Sequence, residues 1–214
     1  MNFETSKNLS GIGTILLLAG VLITPVATIF GSGAIGIVGL ILLLIGIRGL
    51  ADFYHDGSIF NNALYGSITA VVGVVVTAAV AVIGFLATAT DFLYKIFPGW
   101  NGDWRSLQGM TPNTTNINLS DVAPLIAIVL AVVVIAFVFA LLTALFFRKS
   151  LLSLKAKTSV GLFGTSSLLL LVGGALSIVF IGYILMWIAV LLAAIAFFQL
   201  RQPMQEPQSP QMQT

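Results

Sequence analysis

No charged residue interrupts the long apolar runs of this chain, and that feature limits what it can fold into. Asp, Glu, Lys, Arg and His are all absent from 11–47, 57–90, 122–147 and 158–200. Crossing the hydrocarbon core of a bilayer takes about 20 mainly apolar residues in a helix. Backbone polar groups in lipid must be satisfied internally, which leaves helices or closed barrels. Runs of this length without period-2 alternation select helices. Six spans are expected, over 11–29, 33–50, 63–90, 122–147, 159–179 and 182–200. The fold class is therefore all-α: a polytopic integral membrane protein with six transmembrane helices arranged as three in–out–in hairpins.

The boundaries are drawn by different signals. Arg48 and Asp52 end the second span, and Arg148 and Lys149 end the fourth. Only Gly31, Ser32 and Gly33 separate the first span from the second. Pro25 is expected to kink the first span or end it early. The apolar run from Val160 to Leu200 covers 41 residues. At about 1.5 Å per residue it is too long for one crossing. A tight turn near Phe180–Gly182 is expected, with a re-entrant hairpin as the alternative.

Composition excludes several functions. Apolar residues make up 58% of the chain and charged residues 7%, against about 25% charge in soluble domains. The net charge of +2 is too small, and too scattered, to read as a nucleic-acid surface. The chain has no Cys and one His, so disulfides, thiolate chemistry and multi-histidine metal sites are excluded. No cofactor is implied. The N-terminus has a single Lys before its apolar run and no clean small-x-small cleavage site, so it reads as a retained span.

Charge placement orients the spans. With the N-terminus inside, seven of nine Lys and Arg residues face the cytoplasm: Lys7, Arg48, Arg148, Lys149, Lys155, Lys157 and Arg201. Lys95 and Arg105 lie outside. The segment Arg148–Lys157 alone holds four positive charges. The expected location is the cell membrane, multi-pass, with both termini cytoplasmic. The membrane part, 1–200, is one unit, and the Gln-, Pro- and Met-rich tail 201–214 is expected to be disordered. The outer connection 91–121 is rich in Asn, Thr, Gly and Pro and reads as loop. Its first residues, Asp91–Phe97, read as an interfacial segment, with Trp100 and Trp104 as headgroup anchors.

The first and last hairpins share a pattern. Lys7 precedes Gly11 by four residues, as Lys157 precedes Gly161, and Gly13-Thr14 and Gly164-Thr165 follow before Leu runs. This would be a parallel repeat. Gly and Leu runs match readily by chance in so biased a composition, and chance is the preferred explanation.

Three segments carry a family resemblance. They are Ser6-Lys7-x-Leu9-x-Gly11-Ile12-Gly13, the run Gly49–Tyr54 continued by Ser58–Leu64, and Val160–Thr165 before its Leu run. The second is the most specific, being polar and aromatic. Together they resemble the prokaryotic membrane family catalogued as domain of unknown function 996. The resemblance implies a bacterial or archaeal membrane protein. It implies no activity and no catalytic residues.

Two groups of residues stand out. In the third span Gly66, Ala70, Gly73, Thr77, Ala81, Gly84 and Thr88 recur at spacings of three and four, one helix face over its full length. Small faces let backbones approach closely in lipid. Helix packing is the preferred reading over a pore lining. Small residues are also 15 of the 28 in 63–90, so some stripe is expected. Just inside the membrane, Asp52, His55 and Asp56 would share a face if the second helix continued. Such a group would suit a divalent cation or a proton sensor. The plainer reading is a polar elbow in which Arg48 pairs with Asp52.

Uncharged span interiors argue against pumps and proton-coupled transport. The spans also lack the Ser/His, paired-aspartate or zinc sets of intramembrane hydrolases. Nothing points to a Na⁺ site of carbonyls and hydroxyls around Thr24–Pro25. Asn113 and Asn118 head short N-x-Ser/Thr sequences, a weak glycosylation signal. The expected function is a non-enzymatic subunit, scaffold or accessory protein acting by helix association. Its partners would be the lipid bilayer and other membrane proteins or a second copy of itself. The alternative is a small permease or channel for neutral solutes, whose polar cavity would take in Thr77, Thr88, Ser166 and Ser167. An interfacial enzyme at Asp52, His55 and Asp56 comes last.

Overall fold

The computed structural model describes residues 1–23, 31–115, 117–179 and 181–202. The kink expected at Pro25, the Thr24–Pro25 pair, Phe180 and nearly all of the tail lie outside them. Among these residues six α-helices form: α1 Phe3–Ile23, α2 Gly31–Phe53, α3 Gly57–Ile96, α4 Leu119–Thr158, α5 Gly161–Ala175 and α6 Ile181–Phe198. Short 3-10 turns occupy Ser106–Gly109 and Ser177–Val179. No strand occurs among the described residues.

Of the six expected crossings, four described helices are long and apolar enough to cross a membrane: Ala34–Phe53 within α2, then α3, α4 and α6. The other two differ for separate reasons. α5 has 15 residues, about 22 Å, short of the roughly 30 Å hydrocarbon core. α1 starts at Phe3, before the apolar run, so its described part includes the polar first turns with Glu4, Lys7 and Asn8, while the rest of the apolar run expected over 11–29 lies outside the described residues. Conversely α3 and α4 have 40 residues each, about 60 Å and far more than one crossing requires. The connection expected over Arg148–Lys157 is therefore not a loop but the last turns of α4. Lys155 and Lys157 sit there, where the helix dipole favours cations. Likewise Asp91–Ile96 belongs to α3.

Each helix touches its neighbours in the chain, and α6 closes back onto α1. The six converge at the end that carries most of the basic residues. There Phe3, Leu50, Ile59, Leu154, Phe163 and Phe197, one from each helix, belong to one buried apolar core. A smaller cluster joins Ala144, Leu170 and Ala189 of α4, α5 and α6.

Away from that core, α3 and α4 run on as a pair. Beyond Gly73 the only buried residue in α3 is Ala89, and α4 has none before Ala144. The tip of α5 reaches the level of Ala140–Ala144, where Gly174 faces Ala144. In the most apolar stretch of α4 no residue is buried. The chain thus exposes its greasiest segment most, the reverse of a water-soluble fold.

Candidate functional site

The elbow between α2 and α3 is built by two helix ends meeting. α2 stops at Phe53, and the N–H of Asp56 returns to the carbonyl of Ala51 while that of His55 returns to Asp52. His55 has φ +50°, left-handed. This hydrogen-bond pair around a left-handed residue is the Schellman closure of a helix, in which glycine or asparagine usually fills the His55 position. Asp56 then starts α3. Its carboxylate accepts from the Ser58 N–H at 3.0 Å and the Ser58 hydroxyl at 2.6 Å. Those bonds, the hydroxyl's first, lower its pKa below the ordinary carboxylate range.

The helix face expected to unite Asp52, His55 and Asp56 therefore does not form, because the helix ends between them. Among the described residues no group of three His, Cys, Asp or Glu side chains is placed to hold a metal. The expected Arg48–Asp52 pair is also missing from the ion pairs of the described residues, which are Lys7–Glu4 and Lys95–Asp121. Arg48 instead lies over the Phe60 ring, 5.6 Å from its centroid, a cation–π contact.

The small residues of α3 face α4. A Cβ on Gly66 would lie 2.8 Å from Phe147 Cδ2, one on Gly73 2.6 Å from Phe139 Cβ, and one on Gly84 2.7 Å from Ile128 Cδ1. Ala70, Thr77, Ala81 and Thr88 are half-buried along the same line, while Val74 and Val82 are exposed. The Thr88 hydroxyl donates to the carbonyl of Gly84.

A second close seam was not singled out in the sequence. Between α1 and α2, Gly13 and Gly39 each back onto the other helix's backbone. Gly46 and Gly49 accommodate Ser10 and Ser6. The hydroxyls of Ser6, Ser10 and Thr14 fold back onto carbonyls four residues earlier, so buried small polar residues cost nothing in unmade bonds. The signal was available as small residues at helical spacing, but it was divided between two spans.

Polar atoms also join helices. Ser150 donates to the carbonyl of Ile59 at 2.7 Å and Ser166 to that of Ala189 at 2.6 Å. Ser167 donates to Gly164 within its own helix. Of the residues expected around a permease cavity, Thr77 and Thr88 lie on α3 and Ser166 and Ser167 on α5, helices that make no contact with each other among the described residues. Two cavities are of note. One lies at the basic end, between the ends of α1, α5 and α6. The other is an apolar groove of about 450 Å³ between the outlying halves of α3 and α4, lined by residues such as Val82, Phe85, Leu86, Ile128 and Val129.

In the connection from α3 to α4, Trp100 does not stand exposed as an anchor. It is buried between Tyr94 and Trp104, with ring centroids 5.0 and 5.4 Å away, and its indole N–H donates to the Asp103 carbonyl. Trp104 is exposed.

Fold and surface define the class: a helical protein with several helices suited to a bilayer and an apolar exterior. The profile of a family of proteins of unknown function, DUF996, matches residues 35–191, and the chain belongs to that family. It is similar to an uncharacterized protein of Methanocaldococcus jannaschii, 22% identical over 200 residues and covering 94% of each chain. No solved structure matches it.

Proposed function

We propose that the chain is a non-enzymatic, multi-pass protein of a prokaryotic cell membrane that works by helix association, as a subunit, scaffold or accessory. Six helices cross or enter the bilayer as three hairpins, with both termini cytoplasmic. The observation that carries the reading is the outlying half of the α3–α4 pair. Exposed Val82, Phe85, Leu86 and Val129 line an apolar groove with no third helix upon it among the described residues. In lipid, helices associate by van der Waals packing of complementary surfaces, and a groove between two helices offers such a surface to a third. Against a permease weigh the hydroxyls of Thr88, Ser166 and Ser167, all spent on backbone carbonyls. The apolar core common to all six helices weighs in the same direction.

The test is site-specific photocrosslinking in the native membrane. A benzophenone side chain at Val82 or Val129 should give a discrete protein adduct, and one at exposed Ile37 on α2 should not. Lipid adducts alone at Val82 and Val129 would overturn the proposal.

A further inference from the structure

The ends of α1, α5 and α6 leave a cleft of about 930 Å³ at the basic end of the molecule. Lys7 lines it from α1 and Arg201 from just beyond α6, so cations from opposite ends of the chain share one cleft. The hydroxyl-bearing residues Ser159 and Thr165 line it as well, and among the described residues no Asp or Glu does. Lys7 is largely withdrawn from water, its side chain 17% exposed. Its only ion-pair partner among the described residues is Glu4, 3.2 Å away and half exposed. Arg201 has no ion pair among the described residues. Two cations line one cleft, and Arg201 is neutralised by no described acid, which leaves a positive potential there. Val160, Leu162 and Phe198 add an apolar wall to the lining.

Phosphate-bearing groups answer that arrangement. A guanidinium meets phosphate oxygens in a fork, and an ammonium meets them as a point charge. The neutral donors on Ser159 and Thr165 suit the remaining oxygens. Val160, the residue capping α5, offers its first-turn amides no side-chain acceptor, which adds to the preference for an anion. Basic clefts between helices at the cytoplasmic face are where anionic headgroups are recognised.

We propose that this cleft binds a phosphate-bearing anion between Lys7 and Arg201. The phosphate belongs either to an acidic phospholipid, whose acyl chains would follow the apolar wall, or to a free phosphate. The inference concerns the isolated chain and stands or falls apart from the association proposed above.

The experiment uses the full chain in neutral detergent and two probes. Retention of phosphatidylglycerol against phosphatidylcholine is read by native mass spectrometry. Stabilisation by inorganic phosphate is read by thermal melting. The doubles Lys7→Gln/Arg201→Gln and Arg148→Gln/Lys149→Gln remove equal charge from the same end, but only the first touches the cleft. Phosphatidylglycerol retention should fall about tenfold in the first and stay near wild type in the second. Lys7→Arg/Arg201→Lys should restore it, separating lost charge from lost fold. If inorganic phosphate stabilises the wild type but not the cleft double, without preference for the acidic lipid, the ligand is free phosphate and the proposal holds. Equal losses in both Gln doubles, or no preference for either anion in the wild type, would overturn it.

Discussion

At the scale of single residues, the elbow shows how a suggestive cluster is used for chain reversal. His55 occupies a left-handed position that costs an L-residue about 1 kcal/mol or more and that histidine enters more readily than β-branched residues. His55→Gly should hold or raise the melting temperature in detergent, and His55→Val should lower it. If His55→Gly were as harmful as His55→Val, the side chain would be doing more than tolerating its backbone. Asp56 supplies a second measurement. Its carboxylate pKa is depressed in the fold by the bonds from Ser58. Its stabilisation is therefore complete above the ordinary aspartate pKa of about 3.9 and is lost as pH falls through the lower, folded value. Melting followed from about pH 5 towards about pH 3 should show a steeper acid loss in wild type than in Asp56→Asn. Asp56→Ala should cost about 1 kcal/mol at neutral pH, as lost helix caps do. Identical acid limbs in wild type and Asp56→Asn would remove the cap's role.

At the scale of elements, the α3–α4 seam depends on glycines at the closest contacts. Gly73→Leu and Gly84→Leu would drive side chains into Phe139 and Ile128, and overpacking of this kind costs about 1–3 kcal/mol. Val74→Leu and Val82→Leu add bulk on an exposed face and should stay within about 0.5 kcal/mol. Thermal stability of the four variants in one detergent checks this. Equal tolerance would mean that the two helices separate in solution. Helix length is the other lesson at this scale. Apolar runs locate the middles of α3 and α4. Their ends lie further out because Asp56 caps the start of α3. Asn118 with Asp121 likewise forms a reciprocal cap on α4.

At the scale of the whole molecule, the proposed orientation rests on seven basic residues against two. Since the chain has no cysteine, single cysteines report sidedness cleanly. Cysteines replacing Lys7, His55 and Lys155 should react with an impermeant thiol reagent only from the cytoplasm. One replacing Asn113 should react only from outside. Reaction of the Lys155 position from outside would sink the topology. The shortness of α5 makes a further site informative. If the α5–α6 hairpin does not reach the outer surface, a cysteine at exposed Ile178 should resist the reagent from outside.

What the sequence determined by itself is what depends on solvent and local chemistry. Uncharged runs of helix-forming length dictate helices in an apolar environment, because only helices and closed barrels satisfy the backbone there and these runs lack the alternation of a barrel. The elbow, too, was legible as the polar interval Asp52–Asn62 between two such runs. The small face of α3 was legible because one helix carries all of it. What only the tertiary structure decided is whatever depends on two segments meeting. Heights along neighbouring helices are not written in either one, so the unequal reach of α5 and α4 was hidden. The seam of Ser6, Ser10 and Gly13 against Gly39, Gly46 and Gly49 needed the register of α1 on α2. The basic cleft joined Lys7 to Arg201 across nearly the whole chain. Burial in lipid adds little to distinguish one apolar helix face from another. Close contact, backbone hydrogen bonds and the few polar side chains therefore settle the arrangement, and each of these takes effect only once the helices are side by side.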